Sequence, residues 1–453
     1  MKILIISYFF QPDPEIGAVR PVRAAQYLIA QGHEVRVLSA AETSSETGRS
    51  DYIDDSLVLR TPWFDVSSLR IRGRGRRSHQ HGQALAPSVD HQATTVAGAG
   101  TFRARLAQIH NRIAMHANVG WVPFAIPAGR KELRSWQPDV IFATGPPFFV
   151  YFIGTALSKA SGAPWIADFR DMWTTSTYYR YAGLRERLVA GIEILSCKSA
   201  SMLTTVSEPL AEDLRQLHGL PVGVVLNGFD EFPRRPLADR SPLSEARVNI
   251  LYVGNNLYGG RHDPTLLFEA AKTLGLTRSD IRFHFLGTDP EGILPLARTA
   301  GVEELVQMRD GVSREQSLDM QTRADALLLL LWNHPSSVGV YSGKLFEYVG
   351  ARRPVLYVGY ADGVAGELIL DRSLGYVVDD RESAQDSLRR LLATKPDSAL
   401  LPDLSPDDLS VLSRDSQNRR LEGMLDEVRR GSVHSGGSPA VTAPAVHEHQ
   451  SPR

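Results

Sequence analysis

The stretch YSGKLFEYVGARRPVLYVG, Tyr341 to Gly359, sets a small polar opening before an apolar turn built around one carboxylate. Ser342 is a good helix N-cap. Gly343 and Lys344 then fall in the first turn, where backbone N–H groups lack intrahelical partners and the helix dipole is positive. A diphosphate fits such an end, with the Lys344 ammonium beside it. Glu347 follows Lys344 by three positions and Gly343 by four, so the three share a face. A carboxylate one turn below a phosphate site is placed to accept hydrogen bonds from a ribose diol. Two plainer readings stand beside this one. Glu347 can simply complement the helix dipole, worth about 0.3–1 kcal/mol, and Lys344 can be a solvated lysine.

A second stretch, VGNNLYGGRHDP, carries Gly254, Asn255 and Arg261. Glycines let backbone N–H groups approach a phosphate closely. Tight turns have the same composition, and neither a Walker nor a G-x-G-x-x-G spacing is present. No D-x-D motif follows a strand, and Asp379–Asp380 reads as a solvated turn. No metal and no cofactor are therefore expected.

Such loops need strands to hold them. Apolar runs alternate with helical stretches along the chain, the pattern of parallel sheets covered by helices. KILIISYF, HEVRVLSA, PDVIFAT, APWIADF, SMLTTVS and VGVVLNG form a first series; VNILYVGN, IRFHFLG, ELVQMRD, DALLLLLW and RPVLYVG form a second. In open parallel sheets ligands bind beyond the carboxyl ends of the strands, so a cleft between two such sheets is the expected site. The reading predicts an N-terminal domain over 1–232, a linker over 233–247, a C-terminal domain over 248–407, a final amphipathic helix over 408–430 and a disordered tail over 431–453. A basic segment, 70–100, interrupts the first domain and is expected to be a flexible insertion.

The totals limit the partners. The 453 residues are 43% hydrophobic, enough for more than one core. A net charge of −1 gives no global field for nucleic acid, so any anionic partner must use a local patch. One cysteine, Cys197, excludes a disulfide framework and a cysteine-based metal site, which suits a cytoplasmic protein. The apolar start lacks a cleavage site and reads as a buried strand. The run Ala326–Trp332 is too short to cross a bilayer.

The chain resembles the GT-B glycosyltransferases, family 4 in particular. The resemblance rests on KILIISYFFQPDPEIGAVRP, LIAQGHEVRVLS, APWIADFRDMW, LTTVSEPLAEDL, VVLNGFDEF, ILYVGNN, FHFLGTD and SGKLFEYVGARRPVL, which stand in family order. It implies two Rossmann-like domains facing across a cleft, with the final helix crossing back to the first. It implies a nucleoside-diphosphate sugar held by the second domain, an acceptor held mainly by the first, and transfer with retention. Glu347 matches the ribose-binding glutamate, and Ser342, Gly343 and Lys344 match the diphosphate-binding helix start. Gly17 matches a loop glycine near the donor phosphate. Arg170 and Asp171 fall near the reacting carbon, as the catalytic pair. Asn227, Gly228 and Asp230 match the segment closing the first domain, where a hinge turn is the expected role.

Two departures stand out. Relatives carry a second glutamate eight positions before the ribose-binding one, and this chain has Gly339 there. The usual Arg and Lys after the first strand of the second domain are not at their spacing; Arg261 is either their substitute or an ordinary surface residue. The expected partners are a nucleoside-diphosphate sugar and a glycan, lipid-linked or small-molecule acceptor. The basic insertion, with Arg70, Arg72, Arg74, Arg76 and Arg77, adds an anionic membrane surface on the cytoplasmic side; an ordinary surface insertion is the competing reading. The alternatives to a transferase are a nucleotide-sugar-binding protein without turnover and a sugar epimerase on the same fold.

Overall fold

The structure is a computed structural model that describes residues 1–13, 16–41, 52–64, 117–176, 183–230, 242–254, 257, 260–395, 401, 403–404 and 409–431. The basic insertion with Arg70 to Arg77, Asn255, most of the linker and the tail beyond 431 lie outside these residues.

The first sheet is built from β1 (Lys2–Ser7), β2 (Glu34–Ala40), β3 (Val58–Thr61), β4 (Val140–Gly145), β5 (Trp165–Phe169), β6 (Met202–Thr205) and β7 (Val222–Val224). Their order is β3-β2-β1-β4-β5-β6-β7, and every pairing is parallel. The second contains β8 (Val248–Val253), β9 (Ile281–Leu286), β10 (Val306–Arg309), β11 (Ala326–Leu330), β12 (Val355–Val358) and β13 (Gly375–Val378), in the order β10-β9-β8-β11-β12-β13. The central strands are buried along their length, as sheets covered on both faces require. In each sheet the order reverses beside the first strand, between β1 and β4 and between β8 and β11. A crevice opens at such a reversal, at the carboxyl ends of the strands.

The helices are α1 (Ile16–Ala30), α2 (Val122–Glu132), α3 (Val150–Ser161), α4 (Leu184–Cys197) and α5 (Glu208–His218) around the first sheet. Around the second are α6 (Thr265–Thr273), α7 (Pro290–Ala300), α8 (Arg314–Arg323), α9 (Gly343–Gly350), α10 (Val364–Asp371) and α11 (Arg381–Thr394), and α12 (Arg414–Arg430) closes the chain. Two strands escaped the sequence reading. β3 reads VLRT and β13 reads GYVV, each four residues long and at a sheet edge. Their partners β2 and β12 pair them in parallel register, Val37 with Val58 and Val355 with Gly375.

The last helix returns to the first domain. Leu421, Leu425 and Val428 are buried in one cluster with Ile3, Val22 and Leu28. Glu422 is hydrogen-bonded to His33 at 2.7 Å and accepts from the Tyr27 hydroxyl at 3.1 Å. The junction is a bridge between Phe229 and Ser413. Arg414 donates to Asp230 Oδ1 at 2.8 Å and to Asn227 O at 2.6 Å. Gly228 has φ +65°, and a Cβ there would lie 2.7 Å from Arg414 Cα. Asn227, Gly228 and Asp230 thus form the turn on which the crossover helix is seated.

Candidate active site

The second domain builds its site from three strand ends. Ser342 caps α9, its Oγ accepting from Lys344 N at 3.2 Å. Lys344 lies over the face of Tyr252, 4.6 Å from the ring centroid, and its Nζ donates to the Tyr252 hydroxyl at 3.3 Å. Tyr252 is on β8, so the ammonium is drawn to the end of that strand. Gly254 follows, with φ +154°, and a Cβ there would run into Lys344 Nζ. Burial lowers the Lys344 pKa to about 8, against the opposing charge of Glu347. His262 is close enough to feel both Lys344 and Arg261; burial first and those cations second push it down to about 3, so it stays neutral. The result is a half-buried cationic group at a helix N-terminus, a setting that favours a bound anion.

Arg261 lies over Trp332, 4.5 Å from the centroid, and Trp332 stacks on His334 at 4.3 Å. A cavity of about 360 Å³ opens there, lined in part by Arg261, Thr265, Trp332, Asn333 and Arg381.

Glu347 lies one turn below the helix start, as expected, and its carboxylate already has partners. Arg314 Nη1 donates to Oε2 at 3.1 Å, and Gln321 Nε2 donates to Oε1 at 2.6 Å. Gln321 is buried and Arg314 is exposed. A diol reaching this carboxylate would share it with Arg314. Both partners come from α8, too far along the chain for helical spacing to reveal.

In the first domain Arg170 spends its guanidinium on backbone. It donates to Gly145 O at 2.9 Å, Gly17 O at 2.8 Å and Pro146 O at 2.8 Å. It therefore fixes the first turn of α1 against the end of β4. Gly17 lies beneath it; a Cβ would be 3.0 Å from Phe9 and 3.5 Å from Arg170. Asp171 is open to solvent, yet enough protein flanks it that desolvation raises its carboxyl above the usual aspartate range, with the Arg170 charge opposing.

Two buried groups beneath these loops went unread in the sequence. Asp168, on β5, accepts from Arg20 Nε at 3.1 Å and Nη2 at 2.9 Å, from Thr144 at 2.7 Å and from Thr204 at 2.8 Å. Arg20 also donates to Val225 O and Leu226 O, both at 3.1 Å. Glu193, on α4, accepts from Thr174 N at 2.8 Å and from its hydroxyl, and pairs with His218 at 3.2 Å. The signal for Asp168 was present: an aspartate inside the apolar run WIADF.

Gly339 lies at the contact between domains. Ser207, the residue before α5, donates its hydroxyl to Gly339 O at 2.7 Å. A Cβ at 339 would approach Leu210 to 2.9 Å and Pro209 to 3.3 Å. Position 339, where the resemblance led to the expectation of a glutamate, is packed against α5, and a side chain there would have to displace Leu210. Among the described residues no cluster of His, Cys, Asp and Glu is placed to hold a metal ion, and no helix is long and apolar enough to cross a membrane.

The sequence model of the family described as Glycosyltransferase Family 4 matches residues 71–231. No curated protein matches the chain by sequence. HepE of Anabaena in complex with UDP is 13% identical with a TM-score of 0.59, covering 94% of this chain and 100% of that one. The sucrose-phosphate synthase of Thermosynechococcus elongatus is 13% identical with a TM-score of 0.53, covering 95% and 97%. The apo form of the lipopolysaccharide outer core galactosyltransferase WaaB is 13% identical with a TM-score of 0.54, covering 96% and 100%. At these identities the likeness establishes the fold. The chain is a GT-B protein with two facing Rossmann-like domains, and part of its first domain matches family 4 in sequence.

Proposed function

We propose that the protein is a glycosyltransferase that moves a sugar from a nucleoside-diphosphate donor to an acceptor hydroxyl, with retention and without a metal ion. The observation that carries this reading is Lys344, half-buried at the N-terminus of α9 against Tyr252, where a side chain at 254 would displace it. In the reaction negative charge develops on the leaving diphosphate. The α9 N–H groups and Lys344 would stabilise it without reorganising, and Arg261 would stand beside them. Glu347 would hold the ribose. Asp171 would face the reacting carbon, beside Arg170 and the first turn of α1 at Gly17. Closure of the two domains would bring donor and acceptor together.

HepE has been crystallised with UDP, with UDP and glucose, and with UDP-glucose, so uridine donors are the first to test. The acceptor belongs to polysaccharide, glycolipid or other glycoconjugate assembly, on the cytoplasmic side and in part at the membrane surface. Gly339 favours a second reading, binding without transfer, because a carboxylate of the family pattern is missing. One experiment separates the two: thermal unfolding with UDP, GDP, ADP and dTDP sugars, followed by hydrolysis and transfer assays. A donor at a hundred times its Kd adds about 2.7 kcal/mol. Stabilisation with turnover supports the transferase, stabilisation without any turnover supports the binding protein, and no stabilisation by any donor overturns both.

A further inference from the structure

Helix α4 carries an apolar stripe on the face turned away from the domain. Toward the domain it buries Val189, Glu193, Ser196 and Cys197. Toward solvent it presents Leu184 at 84% exposure, Leu188 at 49% and Leu195 at 63%, with Ile194 also exposed. At 100° per residue Leu184, Leu188, Gly191 and Leu195 fall within about 60° of one another. Gly191 has no neighbour within 4 Å of where its Cβ would be, so the stripe is flat and open. Arg187 and Lys198, both exposed, flank it on the side of Ile194. Glu186 points about 160° away from the stripe. The stripe and its flank thus carry leucine, isoleucine, arginine, lysine and glycine, and the one exposed acid of the helix, Glu186, lies off the stripe.

We infer that α4 is a docking surface for an anionic lipid bilayer, lying in the interface plane with Leu184, Leu188 and Leu195 among the acyl chains and Arg187 and Lys198 at the headgroups. A helix with apolar and cationic flanks and no acid between them is complementary to such a surface. It is not complementary to itself: in a two-fold pair of α4 helices the cationic flanks would meet no opposite charge. The docked face also has a consequence for the site. Glu193 on the inner side of α4 holds Thr174, three residues past Asp171, so a bilayer at α4 would bring lipid to the acceptor side of the cleft. The inference rests on the transferase reading only for this last point, the lipid-borne acceptor.

The test is sedimentation of the full chain, without substrates, with vesicles of phosphatidylcholine alone or mixed equally with phosphatidylglycerol, at low and high salt. The wild type is expected to bind the mixed vesicles and release them in high salt. Leu184→Ser/Leu188→Ser/Leu195→Ser should weaken binding at least about tenfold, and Arg187→Ser/Lys198→Ser should weaken it and flatten the salt dependence. Both variants alter exposed residues, and an unchanged melting temperature verifies their fold. No binding by the wild type overturns the inference. Undiminished binding by the leucine variant overturns it too and assigns the membrane contact elsewhere, Arg70 to Arg77 included. A wild-type dimer that the leucine variant dissociates would show the stripe to be an interface between copies. Because no donor is present, these outcomes are independent of whether the chain transfers sugar.

Discussion

Lys344 is placed to titrate at mildly alkaline pH. Its pKa of about 8 lies below the ordinary 10.5 because the ammonium is buried. Between those values the unfolded chain binds more protons than the folded one, so the contribution of this group to stability rises with pH across that window. Below pH 8 burial of the charge is a cost. A bound diphosphate reverses the balance, since it favours the charged form. UDP affinity, followed by calorimetry from pH 7 to 9.5, is therefore expected to fall above pH 8, by up to about tenfold per pH unit. Lys344→Met should bind weakly with a flat profile over the same range; a steep profile in that variant would assign the titration to another group. Glu347→Ala should weaken nucleotide binding by about 1.5–3 kcal/mol, the worth of hydrogen bonds to a charged acceptor. It also takes an acceptor from buried Gln321, so Glu347→Gln is the control for folding. At this scale the sequence was legible where partners are local. The Ser342 cap and the Lys344–Glu347 spacing follow from one helix, whereas Tyr252, Arg314 and Gln321 reach the site from other elements.

Elements meet at two places where a single residue decides the fit. The first is Gly339 against α5. Gly339→Glu restores the carboxylate of the family pattern but places it against Leu210 and Pro209. Overpacking of this kind costs about 1–3 kcal/mol, so a lower melting temperature and no gain in turnover are expected, with partial recovery when Leu210→Ala is added. A gain in turnover without Leu210→Ala would show that the loop moves aside. The second is Arg20, which ties α1 to β5 through Asp168 and to the end of the domain through Val225 and Leu226. Removing one partner of a buried pair costs about 3–5 kcal/mol, and Arg20→Leu should show that loss in denaturant unfolding. The central strands were legible because both faces are buried and the runs are continuously apolar. Short edge strands pair on one side and need no such run, so they were legible only in part: β7 and β10 were read, β3 and β13 were not.

At the scale of the whole molecule the chain closes on itself. Truncation before Ser413 removes Leu421, Leu425 and Val428 from the core shared with β1 and α1, along with Glu422 from His33 and Tyr27. Such a chain is expected to lose the cooperative unfolding of its first domain. Cutting after Gly431 should leave activity and melting temperature unchanged, provided that Gly431 itself stays: it takes φ +69° and its N–H closes α12 on Val428 O. A large shift in the second truncation would mean that residues beyond 431 dock on the protein. The two halves could be read from the alternation of strand and helix. The return of the last helix could not, since amphipathicity gives a helix an apolar face without naming the surface that it covers; only the family resemblance supplied that.

The crossover has a consequence for how the protein is made. The last strand of the first sheet ends at Val224, and the helix that covers part of that domain ends at Arg430. About two hundred residues must leave the ribosome in between, which at about 5–20 residues per second takes about 10–40 s. During that interval the apolar patch around Ile3, Val22 and Leu28 has been synthesised but lacks its cover. The nascent N-terminal half is therefore expected to be more open to protease than the finished chain, which limited proteolysis of chains stalled before and after α12 would show.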